Sequence, residues 1–123
     1  MLQADKAFNG FAVKSLSEAR EFYGAKLGLQ VSDLAGPLAR LHLGDRDVLL
    51  YEQPDATPAS YTFLNFPVAD VGAAVAWLTG RGVVFERYDG MPQDDDGVMR
   101  GNGPDIAWFK DPSGNVLSVI ASD

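Results

Sequence analysis

Apolar residues recur along this chain in two periods, and the two periods divide it into helices and strands. Leu16, Ala19, Phe22, Tyr23 and Leu27 stand three or four residues apart, the spacing of an amphipathic helix. Ser15 followed by Glu18 forms a capping box at its start, and Gly28 supplies the stop. Val71, Ala74, Val75, Trp77 and Leu78 draw a second helical stripe, with Asp70 as N-cap and Gly82 as its end. The two stripes are the same pattern 55 residues apart: Ser15 answers to Asp70, Leu16 to Val71, Ala19 to Ala74, Phe22 to Trp77 and Tyr23 to Leu78. Val13 and Val68, two residues before each cap, agree as well.

Strand-like segments surround each helix. Ala7–Val13 precedes the first, and Gln30–Leu34, Ala39–Leu43 and Val48–Glu52 follow it, with Gly44-Asp45-Arg46-Asp47 turning the last pair. Tyr61–Val68 precedes the second helix, and Val83–Tyr88, Asp105–Lys110 and Asn115–Ile120 follow, with Asp111-Pro112-Ser113-Gly114 as the turn. The pattern is therefore βαβββ twice, an α+β class. Late in the repeat Val48 matches Val116 and Leu50 matches Ser118, 68 residues apart. The 13 extra residues fall mostly in Asp89–Gly103, which reads as a long loop or extended hairpin able to close over a binding site. One helix cannot cover both faces of four strands. Two such modules, about 1–55 and 56–123, would solve this as a single domain whose sheets curl into a shared cup, and cups of this kind hold ligands.

Composition narrows the classes of function. The chain has 123 residues, 46% apolar and 22% charged, as an ordinary globular domain does. Seventeen acidic residues against ten basic ones give a net charge of −7, which repels a phosphate backbone and argues against nucleic acid as a partner. There is no cysteine, so disulfides, thiolate metal sites and cysteine nucleophiles are excluded. No apolar run is long enough to span a bilayer, and the N-terminal residues lack the order of a signal peptide. A cytoplasmic protein with no membrane partner is the expectation.

Two motifs carry a resemblance. Leu16-Ser17-Glu18-Ala19-Arg20-Glu21-Phe22-Tyr23, with Leu27-Gly28-Leu29, resembles the first-helix signature of the vicinal oxygen chelate proteins. This is the group of glyoxalases, bleomycin-resistance proteins and extradiol dioxygenases. Phe109-Lys110-Asp111-Pro112-Ser113-Gly114-Asn115-Val116 is similar to their final hairpin. The resemblance implies the cupped fold and a homodimer. It leaves function open, because the group holds metal-dependent isomerases, epimerases, lyases and dioxygenases beside metal-free proteins that sequester antibiotics. In the metal-dependent members each module supplies one ligand from its first strand and one from its last. Counted onto this chain from the helix caps and the closing turn, those positions are Phe8, Leu50, Phe63 and Ser118. Three carry no donor atom, and a neutral serine hydroxyl alone holds no divalent cation. No metal and no other cofactor is expected.

Residues alternating with these four should share the cup face. The candidate ligand-binding set is Phe8, Gly10, Leu50, Glu52, Phe63, Asn65, Phe109 and Ser118, with Trp108 replacing Phe109 if a bulge intervenes. Gly10 and Ala12 would leave space opposite the aromatics. The lining is apolar and aromatic with few polar points, which suits an apolar or aromatic small molecule. Glu52 is the one acid or base in the set and the candidate for general base catalysis. His42, the single histidine, alternates with Leu41 and Leu43 and should face away from the cup. Without cysteine or a second histidine, no familiar nucleophile dyad is expected to assemble.

Asp94-Asp95-Asp96-Gly97 lacks the alternation and the later Glu of a calcium loop and reads as an exposed turn. Gly101-Asn102-Gly103 lacks the third glycine of a dinucleotide fingerprint and runs into Pro104. Three functions follow from the sequence: a metal-independent small-molecule binder, a lyase or isomerase using Glu52, or a closed cup acting through protein contacts alone.

Overall fold

Ser15 does cap the first helix. In the computed structural model, which describes residues 1–122, its hydroxyl accepts the Glu18 amide at 3.2 Å. Helix α1 (Leu16–Ala19) runs directly into a π-helical segment, Arg20–Lys26. There the Leu27 amide reaches back five residues to the Phe22 carbonyl at 3.0 Å. The wider turn lets Ala19, Phe22, Tyr23 and Leu27 all be buried, and Gly28, at φ 75°, ends it.

The chain divides into two compact units, Met1–Thr57 and Pro58–Asp123. In the first, strands β1 (Gly10–Val13), β2 (Gln30–Asp33), β3 (Leu38–Leu43) and β4 (Arg46–Glu52) form one sheet in the order β1-β4-β3-β2. β1 and β4 are parallel and the other pairs antiparallel. Phe11 and Tyr23 meet edge to face at 5.8 Å, so the Phe11 side of the sheet lies against the helix. Phe11, Val13, Ala39, Leu41, Val48 and Leu50 are all buried there.

The second unit holds β5 (Thr62–Val68), α2 (Val71–Gly80), β6 (Ile106–Lys110) and β7 (Val116–Ala121), with the sheet ordered β5-β7-β6. The Asp70 carboxylate caps α2 at the Ala73 amide, 3.0 Å away. Val71, Val75 and Leu78 are buried, but Trp77, expected in the stripe, is 53% exposed with the Arg81 guanidinium over its ring. Val83–Tyr88 is not the expected strand. Phe85 alone bridges to Phe109, and the Gln93 side chain takes over the pairing a strand neighbour would supply. Its amide oxygen accepts the Tyr88 amide at 2.8 Å, and its nitrogen donates to the Glu86 and Gly97 carbonyls at 3.0 and 2.8 Å. The same clamp holds Asp89–Gly103 in place, with Val98 buried and Met99 bridged to Ile106.

The two units repeat each other, with one correction of register. The Gln53 amide donates to the Val13 carbonyl at 2.8 Å, and the Ser122 amide donates to the Val68 carbonyl at 2.9 Å. Val13 pairs with Glu52, as Val68 pairs with Ala121. The last strands therefore correspond at a spacing of 69, not 68. In a strand a shift of one residue turns every side chain to the other face. Leu49, not Leu50, is the counterpart of Ser118.

Candidate functional site

That slip reassigns the site in the first unit. Gly10 pairs with Leu49, Leu49 with Arg40, and Arg40 with Ser32, making one row across the face turned away from the helix. Ala12, Tyr51 and Leu38 make the next row. Leu50 is fully buried on the helix side, so its expected place in the cup is wrong. Glu52 shares that side, and its carboxylate accepts the Leu16 amide at 2.8 Å, capping the first helix. The candidate general base is thus a helix cap on the other face from Gly10 and Ala12. Gly10 serves strand packing. A Cβ there would stand 2.9 Å from the Leu49 carbonyl oxygen, so its missing side chain lets β1 and β4 approach.

His42 lies on the face with Gly10, opposite to expectation, because Leu41 is the residue that faces the helix. Its Nδ1 is 2.8 Å from the Asp47 carboxylate and its Nε2 is 2.7 Å from the Ser32 hydroxyl. Sequence reasoning missed this trio. Taking residues 44–47 as the turn removed Asp47 from the strand. The actual turn is Gly44-Asp45, a two-residue hairpin that pairs Leu43 with Arg46 and His42 with Asp47. A cavity of about 440 Å³ adjoins, lined by Phe8, Leu34, Arg40, Asp47, Val48 and Leu49. Phe8 is 72% exposed at its rim.

In the second unit the equivalent face carries the row Asn65, Ser118 and Trp108. The buried Ser118 hydroxyl donates to the Asn65 side-chain oxygen at 2.5 Å. Phe63 is half-buried beside the irregularity where β5 shifts register between Thr62 and Leu64. Phe109 is 1% exposed and packs edge to face on Phe85 at 5.4 Å, so it belongs to the core. Trp108, with no bulge in β6, lies in the row of Ser118. It borders a cavity of about 360 Å³ with Tyr61, Tyr88 and Met91, and Ser60, Thr62 and Val116 complete the wall. Tyr88 meets Trp108 edge to face at 5.5 Å. Burial, reinforced by the nearby Glu86 carboxylate, raises the Tyr88 phenol above its ordinary value.

Residues 7–119 match the family model of the Glyoxalase/Bleomycin resistance protein/Dioxygenase superfamily. The chain belongs to that superfamily. Solved structures of the superfamily's fold align over nearly the whole chain. A putative glyoxalase family protein from Bacillus anthracis is 17% identical, with all of both chains covered and a TM-score of 0.71. TnmS3, an antibiotic binding protein from Streptomyces sp. CB03234, is 23% identical over 99% of this chain and 100% of its own, with a TM-score of 0.67. A lactoylglutathione lyase from Agrobacterium tumefaciens is 20% identical over 94% and 92% of the two chains, with a TM-score of 0.65. At such identities the likeness establishes the fold alone. No curated protein matches the chain significantly.

The superfamily's metal positions do not fit a cation in this member. With the register corrected they are Phe8, Leu49, Phe63 and Ser118. The first three have no ligand atom, and the serine hydroxyl is already bonded to Asn65. Among the described residues no group of three or more His, Asp or Glu side chains could hold an ion elsewhere. Nor is any described helix long and apolar enough to cross a membrane.

Proposed function

We propose that this superfamily member binds a small apolar or aromatic molecule and does so without a metal. The observation that carries the reading is the wall of Tyr61, Tyr88, Met91 and Trp108 around the second unit's cavity. Tyr61 and Met91 remain 69% and 44% exposed, a cost that a monomeric core would avoid and that a ligand would relieve. Aromatic faces stack on planar ligands and a thioether adapts to their edges. Ser60 and Thr62 in the same wall, with the Tyr88 phenol, supply its polar points. That TnmS3 is an antibiotic binding protein of this fold supports a sequestering role, and pairing of two copies in the cytoplasm belongs to the same proposal.

The two tryptophans make a direct test. Trp77 lies outside the cavity and Trp108 borders it, so a Trp77→Phe variant leaves Trp108 as the reporter. Titration with a panel of aromatic antibiotics and planar metabolites should quench or shift its emission saturably, and Tyr61→Ala should weaken the effect. If no compound perturbs Trp108 or the melting temperature, the cavity is not a binding site and a role through protein contacts alone gains the ground.

A further inference from the structure

Pairing of β2, β3 and β4 brings Ser32, His42 and Asp47 together on the face away from the helix, with Asp47 opposite His42 and Ser32 diagonal to it in the next row. A carboxylate only accepts hydrogen bonds, so the 2.8 Å contact places the imidazole proton on His42 Nδ1. In the neutral ring Nε2 is then the bare nitrogen, and the Ser32 hydroxyl, 2.7 Å away, must donate to it. This is the protonation pattern of an activated serine: nucleophile, base, and a carboxylate that orients the base and stabilises it once charged. Arg40 stands directly opposite Ser32 in the β2–β3 register, and its Nε lies 3.5 Å from the Asp47 carboxylate. Leu34, Leu49 and Phe8 border the neighbouring cavity. The His42 and Asp47 side chains are 27% and 42% exposed, so water reaches the trio.

We propose that Ser32, His42 and Asp47 form a serine acyl-transfer site that hydrolyses esters of short, apolar carboxylic acids. Ser32 Oγ attacks the ester carbonyl carbon while its proton passes to His42 Nε2. The carbonyl electron pair moves onto oxygen, and Arg40, opposite Ser32 in the strand register, is the cation that balances it. Collapse of that intermediate breaks the bond to the alcohol oxygen, which leaves with the proton from His42 and the acyl group on serine. Water then attacks the acyl-serine by the same route, with His42 taking and returning a proton, and the carboxylic acid departs. Substrate and water account for every atom, and no oxidant or further co-reactant is needed. Because Asp47 is partly in water it stabilises the imidazolium less than a buried partner would. The site should therefore favour esters with good leaving groups.

The test uses the full chain with p-nitrophenyl butyrate and, separately, a fluorophosphonate label read by intact-mass and peptide mass spectrometry. The expected label is one phosphonyl group per chain, on Ser32, lost in Ser32→Ala and in His42→Gln. Hydrolysis should fall at least tenfold in each variant, and the double variant should be no slower than either, since the groups act as one unit. Labelling of the unmutated protein needs no variant to fold. Absence of label on Ser32, label on another residue, or hydrolysis within twofold of the unmutated rate in a folded Ser32→Ala protein would overturn the proposal and leave the trio a structural network.

Discussion

Replacing Leu50 with alanine should cost far more stability than the same change at Leu49, and the difference measures the register on which the site depends. Leu50 is fully buried between Phe11 and Ala39 on the helix side of the sheet. Deleting its three outer carbons removes their transfer free energy and leaves a cavity that the rigid sheet cannot close, about 2–5 kcal/mol in all. Leu49 is half-exposed on the opposite face, so its truncation gives up only part of that area, about 1 kcal/mol. Urea denaturation followed by far-ultraviolet circular dichroism gives both values, provided the slopes match and the transitions stay two-state. On the alternative register Leu50 would line the ligand face and Leu49 the core. Equal losses, or a larger loss at Leu49, would refute the face assignment.

The Gly10→Ala change should destabilise the protein by about 1–2 kcal/mol, because the new Cβ meets the Leu49 carbonyl oxygen at 2.9 Å. Gly24→Ala, where the nearest atom is 3.8 Å away, should be markedly milder in the same denaturation assay. Glu52→Ala should cost about 0.5–1 kcal/mol through loss of the cap on the Leu16 amide, while leaving any ester hydrolysis intact. A loss of turnover without a loss of stability would restore Glu52 as a base. The Val98 and Asp96 amides and the Arg100 guanidinium hold the Asp94 carboxylate below its ordinary value of 3.8, with the Val98 bond the largest cause. A depressed folded-state value stabilises the protein above the unfolded value and ceases to do so as pH falls through the folded one. The gap in urea midpoint between unmutated protein and Asp94→Ala should therefore be constant near neutrality and narrow only below about pH 4.

What could be read from the sequence follows the strength of local signals. Both helix caps, the βαβββ order of the first unit and most strand cores were legible, because caps and periodicity depend on neighbours within a few residues. Three features were not. The register of β4 against β1 follows a repeat spacing of 69, where matching Leu50 to Ser118 assumes 68. That slip of one residue puts Leu50 in the place of Leu49, takes the Leu41 side of the sheet for the ligand face, and so sends His42 to the wrong face. The missing strand at Val83–Tyr88 reflects a side chain, Gln93, supplying the hydrogen bonds of a strand, which no periodicity encodes. Glu52 was visible as a lone acid among apolar residues, but its partner is an amide 36 residues earlier in the chain. Asn65, Ser118 and the alternative Trp108 share one row of the sheet because the closing turn Asp111-Pro112-Ser113-Gly114 sets the register of β7 locally.

The central claim is a small-molecule site that works without a metal, and native mass spectrometry of freshly purified protein with parallel elemental analysis tests it most directly. The account predicts that any mass retained above 13.2 kDa per chain is organic. Added aromatic ligand should bind equally before and after chelator treatment, with zinc, nickel, manganese and iron far below one per chain. One transition-metal ion per chain that survives gel filtration, and whose removal releases the ligand, would contradict it.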